Sequence, residues 1–190
     1  MNISTDIFTD TAELIINECK EALRKVDPEA VEALVEAIYE ADKIFFVGVG
    51  RVMLSLQAMA KRLAHLGFAT YCVGQITEPA ITARDLLIVG SGSGETLVPV
   101  GIAKKAKAFG ARIAHIGSNP DSSLSPVADI FIRIKVQTKL ALPDEIISEQ
   151  PMTSLFEQCL LLLGDTVAKM IIADKRLNMK ELWKFHANLE

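Results

Sequence analysis

The sequence predicts an open α/β sheet, on three observations. Short apolar, β-rich runs at residues 44–47, 69–73, 86–89, 113–116 and 130–134 are mostly apolar on both faces, the pattern of parallel strands buried on both sides. Helical patterns at 52–66 and 97–109 lie between them. Strand–helix alternation of this kind argues for a parallel sheet, here of five strands.

The first 40 residues read as two helices. Leu14, Ile15, Cys19, Leu23 and Val26 recur at helical spacing with charge between them. Asp27-Pro28 breaks the run, and Asp27 is suited to cap a helix starting at Pro28, whose Val31, Leu34, Val35 and Ile38 form an apolar stripe. Two isolated helices cannot hide that much apolar surface, so they must pack on the body of the domain or on another subunit. Gly67 and Gly110 sit where helix C-caps are expected. The segment 135–150 has no clear period and reads as a loop, and a last long helix is expected from about Pro151 to Lys175.

A length of 190 residues suits one domain, with residues 1–40 as a helical extension. Half of the residues are hydrophobic, enough for a substantial core. Twenty basic against 24 acidic residues give a net charge of −4, which speaks against a general grip on nucleic acid. Cys19, Cys72 and Cys159 form no CxxC pair and read as small buried hydrophobes of a reducing compartment. The opening MNISTDIFTD lacks the basic and apolar regions of a secretory signal, and no stretch approaches the roughly 18 apolar residues of a membrane span. The expectation is a soluble cytoplasmic protein with neither nucleic acid nor membrane as partner.

Ligands of such sheets bind outside the carboxyl ends of the strands, which directs attention to the loops after Val47, Val73, Val89 and Ile116. Gly48-Val49-Gly50-Arg51 follows the first strand, but Met53 stands where a dinucleotide fingerprint needs its third glycine, and no P-loop motif is present. Two readings of Arg51 stand: a solvated turn residue, or a cation meeting an anionic ligand. Ser91-Gly92-Ser93-Gly94-Glu95-Thr96, between a strand and a helix, is the strongest signal. Three hydroxyls and two glycines at a helix N-terminus suit an anion, because backbone N–H groups and the helix dipole face it. The alternative is a loop that only caps the helix. The absence of lysine favours one compact phosphate over a nucleoside triphosphate.

His65, in an apolar setting, is either a structural histidine or a proton-transfer group. His115 lies inside a strand pattern and reads as structural, and His186, near the C-terminus, as solvated. Glu157 interrupts a helix that is apolar on nearly every face, so its carboxylate either escapes to a rim or occupies a partly desolvated site useful to a general base. Glu149 reads as a helix-start carboxylate.

Together these residues resemble the sugar isomerase (SIS) domain, whose signature is a strand ending in GxGR and a later strand ending in SxSGET. Within it the chain is most similar to the 6-phospho-3-hexuloisomerase family, through Gly48–Arg51, the RLAHLGF stretch at 62–68, Gly90–Thr96, QPMTSLFEQ at 150–158 and the closing HANLE at 186–190. The resemblance spans roughly residues 40–190. It implies a three-layer αβα sandwich, flavodoxin-like, with a five-stranded parallel sheet. It also implies interconversion of 3-hexulose 6-phosphate and fructose 6-phosphate in the ribulose monophosphate pathway of formaldehyde fixation, no metal or organic cofactor, and a homotetramer with sites near subunit interfaces.

Carried over by position, Ser91, Ser93 and Thr96 hold the phosphate, with Gly92, Gly94 and Glu95 in the same loop. Gly50 and Arg51 contact the sugar phosphate, Glu157 is the proton acceptor, and His65 opens the ring or shuttles the second proton, from the same subunit or a neighbour. Val52 stands where the family usually has Ser, which removes a hydroxyl near the sugar, and Thr153 where it favours Gly. The alternatives are another phosphosugar aldose–ketose isomerase, such as one for arabinose 5-phosphate, and a non-catalytic module that senses a sugar phosphate.

Overall fold

The runs at 44–47, 86–90 and 112–117 become strands whose two faces both find something to bury against, while those at 70–72 and 130–133 are half-buried edge strands. The computed structural model describes residues 5–189; the first four residues of the extension, with the part of the MNISTDIFTD reading that falls on them, and Glu190 of the closing HANLE lie outside the described residues. The strands are β1 (Ile44–Val47), β2 (Thr70–Cys72), β3 (Leu86–Gly90), β4 (Arg112–Gly117) and β5 (Ile130–Arg133). They form one parallel sheet in the order β2-β1-β3-β4-β5. This is the flavodoxin-like order, whose direction of winding switches between β1 and β3.

Alternate residues feed two cores. Ile44, Phe46, Ile88 and Ile132 point to one face, with residues of α2 (Pro28–Glu40), α3 (Arg51–His65) and α5 (Ser154–Asp174). Phe45, Leu87, Val89 and Ile113 point to the other, under α4 (Leu97–Ala108) and the loop residues Leu124 and Val127. Each of these large side chains, fully buried, contributes about 1.5–3 kcal/mol. Gly164 of α5 faces Met59 of α3, where an added Cβ would lie 2.9 Å from the Met59 Cβ, so these two helices approach closely. α1 (Thr5–Arg24) rests on α5, with Cys19 and Ala22 buried. The N-terminal helices thus pack on the body of the domain, while Phe8 and Ile16 of α1 stay exposed.

Helix boundaries follow local chemistry. Asp27 caps α2 by accepting from the Glu29 amide at 3.0 Å, with Pro28 in the first turn. Gly67 and Gly110 adopt the left-handed conformation, φ 91° and 81°, just past the ends of α3 and α4. The last helix starts at Ser154, three residues later than expected, because Met152 is left-handed at φ 57° and turns the chain before the first helical turn can form. The 135–150 segment is mostly irregular but carries one parallel bridge, Val136 to Ile146. A short 3-10 helix, Glu181–Phe185, packs against α3.

The three cysteines are buried and unpaired by disulfides. Burial raises all three thiol pKa values, with the neighbouring Cys19 and Glu18 raising Cys159 further. No helix among the described residues is long and apolar enough to cross a membrane.

Leu34 is fully buried and ties α2 into the first core. Leu34→Ala should destabilise the protein by about 2–5 kcal/mol in urea unfolding; an unchanged midpoint would mean that α2 lies outside the cooperative unit.

Candidate active site

The site begins at the switch point. β1 and β3 are neighbours, so the loop at Gly48–Arg51 and the loop at Ser91–Thr96 emerge side by side at their carboxyl ends. Thr96 is the N-cap residue of α4, yet its side chain makes no capping hydrogen bond. The Ser91 hydroxyl lies 3.4 Å from the Thr96 hydroxyl and 3.1 Å from the Gly94 amide, which donates to it. Gly94 is left-handed, φ 67°, and a Cβ there would drive into the Ser122 side chain, so only glycine fits. Hydroxyls, amides and a helix N-terminus converge in a donor-rich cradle for one anion; the loop itself carries no lysine, but Lys139 lines the same cavity.

Beside the cradle lies a cavity of about 580 Å³. Its floor is Gly90, Ser91, Gly92, Ser93 and Thr96; Val49, Val52, Met152 and Phe156 are apolar walls; Gln137, Thr138, Lys139, Gln150 and Thr153 are polar ones. Glu157, buried in the first turn of α5, pairs with the exposed Arg51 at the start of α3. Their chain neighbours Val52 and Phe156 line the cavity. Thr153 donates its hydroxyl to Glu157 Oε1 at 2.9 Å, and the Ser55 hydroxyl donates to the Glu157 carbonyl at 2.8 Å. The guanidinium supplies the counter-charge that a carboxylate out of water needs. Thr153, which replaces the glycine favoured by the family, therefore fixes one carboxylate oxygen while Arg51 holds the other.

Behind the cradle sits His115 of β4, fully buried, its ring tilted against Phe131. Its Nε2 lies 3.0 Å from the Ser91 carbonyl, so Nε2 carries the proton and donates. Its Nδ1 is buried without a partner. Burial drives its pKa from 6.5 down to about 4, against the hydrogen bond to Ser91.

The far wall is the 135–150 loop, organised by Glu145. This buried carboxylate accepts from the Ser118 hydroxyl at 2.8 Å, the Thr138 amide and hydroxyl, both at 3.1 Å, and the Leu142 amide at 2.9 Å. Thr138 is thereby held over Gly92, where an added Cβ would meet its methyl at 3.2 Å. Arg133 braces the loop through a two-pronged pair with Asp144 and a bond to the Ser118 carbonyl.

Not every expected residue meets the cavity. Gly50, the N-cap of α3 with φ 61°, does not line it, and neither do Arg51, Gly94 and Glu157 themselves. Glu95 turns away to accept from the Ser123 amide and hydroxyl, which hold its carboxyl below the usual range. His65 is at the last residue of α3, about 21 Å along the helix from Arg51 at a rise of about 1.5 Å per residue. It stacks on His186, centroids 5.2 Å apart, in a separate cavity of about 400 Å³ that Arg62 and Trp183 also line. Burial, then Lys61, Arg62 and His186, lower its pKa. The half-buried His186 is thus part of a ring cluster instead of the solvated residue expected. Within one chain Glu157 and His65 are not brought together. Sequence reasoning missed Ser55, Gln137, Thr138, Glu145 and Lys139; Glu145, an acid in a segment of no period, offered no local signal. Among the described residues no group of three His, Cys, Asp or Glu could hold a metal.

The SIS domain model matches residues 37–163. The chain belongs to the SIS domain family. A 3-hexulose-6-phosphate isomerase from Mycobacterium gastri is 40% identical over 185 residues, 97% of this SIS chain and 92% of that protein. One from Bacillus subtilis is 38% identical, over 93% and 95%. A crystal structure from Methanococcus jannaschii, for which a molecular function of 3-hexulose-6-phosphate isomerase was inferred, shares the SIS fold with a TM-score of 0.81 and 32% identity, covering 95% of this chain and 99% of that one.

His115 gives this SIS domain a pH signature. Unfolded, it takes a proton near pH 6.5; folded, only near 4. The unfolded state therefore binds more protons between these values, and the stability present above pH 6.5 is lost as pH falls toward about 4. Urea unfolding across this range should show a shallower decline in His115→Gln than in the parent; equal slopes would mean that the ring does not titrate as its burial requires.

Proposed function

We propose that the chain is a 3-hexulose-6-phosphate isomerase, converting 3-hexulose 6-phosphate to fructose 6-phosphate. The observation that carries this reading is one cavity with a donor-rich anion cradle on one side and, behind the wall residue Thr153 that donates to it, a buried, arginine-paired carboxylate. The relatives that match nearly the whole chain support the substrate.

The phosphate binds at Ser91, Ser93 and Thr96, and its binding energy holds the reacting carbons in register. The substrate has its carbonyl at C3 and a hydroxyl at C2. Glu157 takes the C2 proton, the C–H electron pair becomes the C2=C3 bond, and the C3 carbonyl oxygen becomes an oxyanion. A proton passes from the C2 hydroxyl to that oxygen. The C2 carbonyl then forms as Glu157 returns its proton to C3. One carboxylate serves both carbons because both lie on the same face of the planar enediolate. Protons and electrons balance within the substrate, so no redox cofactor is required. Arg51, next to Glu157, is placed to stabilise the developing oxyanion.

His65 is the proposed second proton carrier, delivered by a neighbouring copy. This is supported by the distance between the ends of α3 and by the exposure of Leu54 on α3 and of Leu161 and Leu162 on α5, apolar residues suited to an interface. A homotetramer, a cytoplasmic location and a place in the ribulose monophosphate pathway complete the proposal.

With 3-hexulose 6-phosphate generated in place by a synthase from formaldehyde and ribulose 5-phosphate, rapid fructose 6-phosphate formation is expected. Glu157→Gln should lower kcat about 10²–10⁴-fold with KM nearly unchanged; near-normal turnover would sink the assignment of the base. Mixing Glu157→Gln and His65→Asn chains after mild dissociation should restore activity to about a quarter of sites, since random assembly pairs intact groups that often across an interface. No recovery would place both groups in one chain or remove His65 from the reaction.

A further inference from the structure

The cavity is lined by polar groups of opposite hydrogen-bonding character, and α1 fixes one of them. Glu18 of α1 accepts from the Ser148 hydroxyl at 2.6 Å, the Glu149 amide at 2.8 Å and the Gln150 side-chain amide at 2.9 Å. Three successive residues of the cavity-wall loop are thus held by one carboxylate from a helix that precedes the sheet. Against the opposing effect of partial burial, these three bonds hold the Glu18 carboxyl below its usual range. Because a carboxylate only accepts, the amide of Gln150 must direct its nitrogen at Glu18. Its carbonyl oxygen is then the atom left for the cavity, which Gln150 lines. Gln137, on the same wall, is set the opposite way: its carbonyl oxygen accepts from the Ser148 amide at 3.2 Å, leaving its NH₂ for other partners. The cradle offers donors to a phosphate, whereas the hydroxyls of a sugar chain also need an acceptor.

We propose that Gln150 is a specificity-determining residue whose side-chain carbonyl accepts a hydrogen bond from a hydroxyl of the sugar chain, and that Glu18 is the positioning residue that sets its orientation. This rests on the reading of the cavity as a sugar-phosphate site. It gives the N-terminal helix a part in ligand recognition that neither its amphipathic pattern nor its burial required.

The test reads binding, so that it stands apart from turnover. Affinities for fructose 6-phosphate and for inorganic phosphate are measured by calorimetry on the full chain, on Gln150→Leu and on Glu18→Ala. Removing one uncharged hydrogen bond should weaken fructose 6-phosphate about three- to tenfold in Gln150→Leu. Inorganic phosphate, which needs only the cradle, should change by less than about twofold. Glu18→Ala should show the same selective loss, smaller because the freed amide can still reach the hydroxyl. Unchanged fructose 6-phosphate affinity in Gln150→Leu, or an equal loss for both ligands, would overturn the assignment; Gln150→Leu alone decides it if Glu18→Ala misfolds. A parent protein that binds fructose 6-phosphate selectively yet turns over no 3-hexulose 6-phosphate would count against the proposed reaction and not against Gln150.

Discussion

A parallel sheet covered on both faces leaves polar chemistry only the ends of its strands. Here that constraint is tight, because the residues of β1 and β3 are buried on both sides and carry no polar side chain. Within one chain, the groups that line the cavity come from a strand end, a helix start or a loop lying over them. The reversal of winding between β1 and β3 opens a natural gap between such ends. The cradle, the Arg51–Glu157 pair and the 135–150 wall are three answers to the question of what fills that gap.

Three carboxylates around the gap do different work because their partners differ. Glu157 has a guanidinium and a hydroxyl, an arrangement that keeps a charged group near the cavity edge. Glu145 has hydroxyls and amides, and stands in for the ladder of backbone bonds that an irregular loop lacks. Glu18 reaches across from another helix and stitches distant parts of the chain together. The residue type is the same in all three, and the environment decides the role.

The strands were legible because a run such as Ile44-Phe45-Phe46-Val47 has no polar face to place in water, and this local fact survives any tertiary context. The cradle was legible for a similar reason: serines and glycines between strand and helix announce backbone exposure at a helix start. Glu157 stood out because it broke an apolar pattern. The wall did not stand out, since Thr138 and Glu145 acquire meaning only through their bonds to each other and to Ser118, and Gln150, though part of a motif, takes its orientation from Glu18, a residue close in space and distant in sequence. The start of α5 was misplaced for a like reason: nothing in the residue type of Met152 signals a left-handed backbone. His65 is the reverse case, singled out by its motif yet set by the fold at the opposite end of α3 from the cradle.

The buried cysteines have a bearing on the chemical surroundings of such a protein. Sulfur reacts with electrophiles and oxidants chiefly as the thiolate. Cys19, Cys72 and Cys159 are all shielded from solvent and all held toward the neutral thiol. The fold therefore presents no ready sulfur nucleophile, and small reactive aldehydes meeting its surface find nitrogen groups instead, such as the exposed Lys139 that lines the cavity. A scaffold that works beside carbonyl compounds is in this respect chemically quiet.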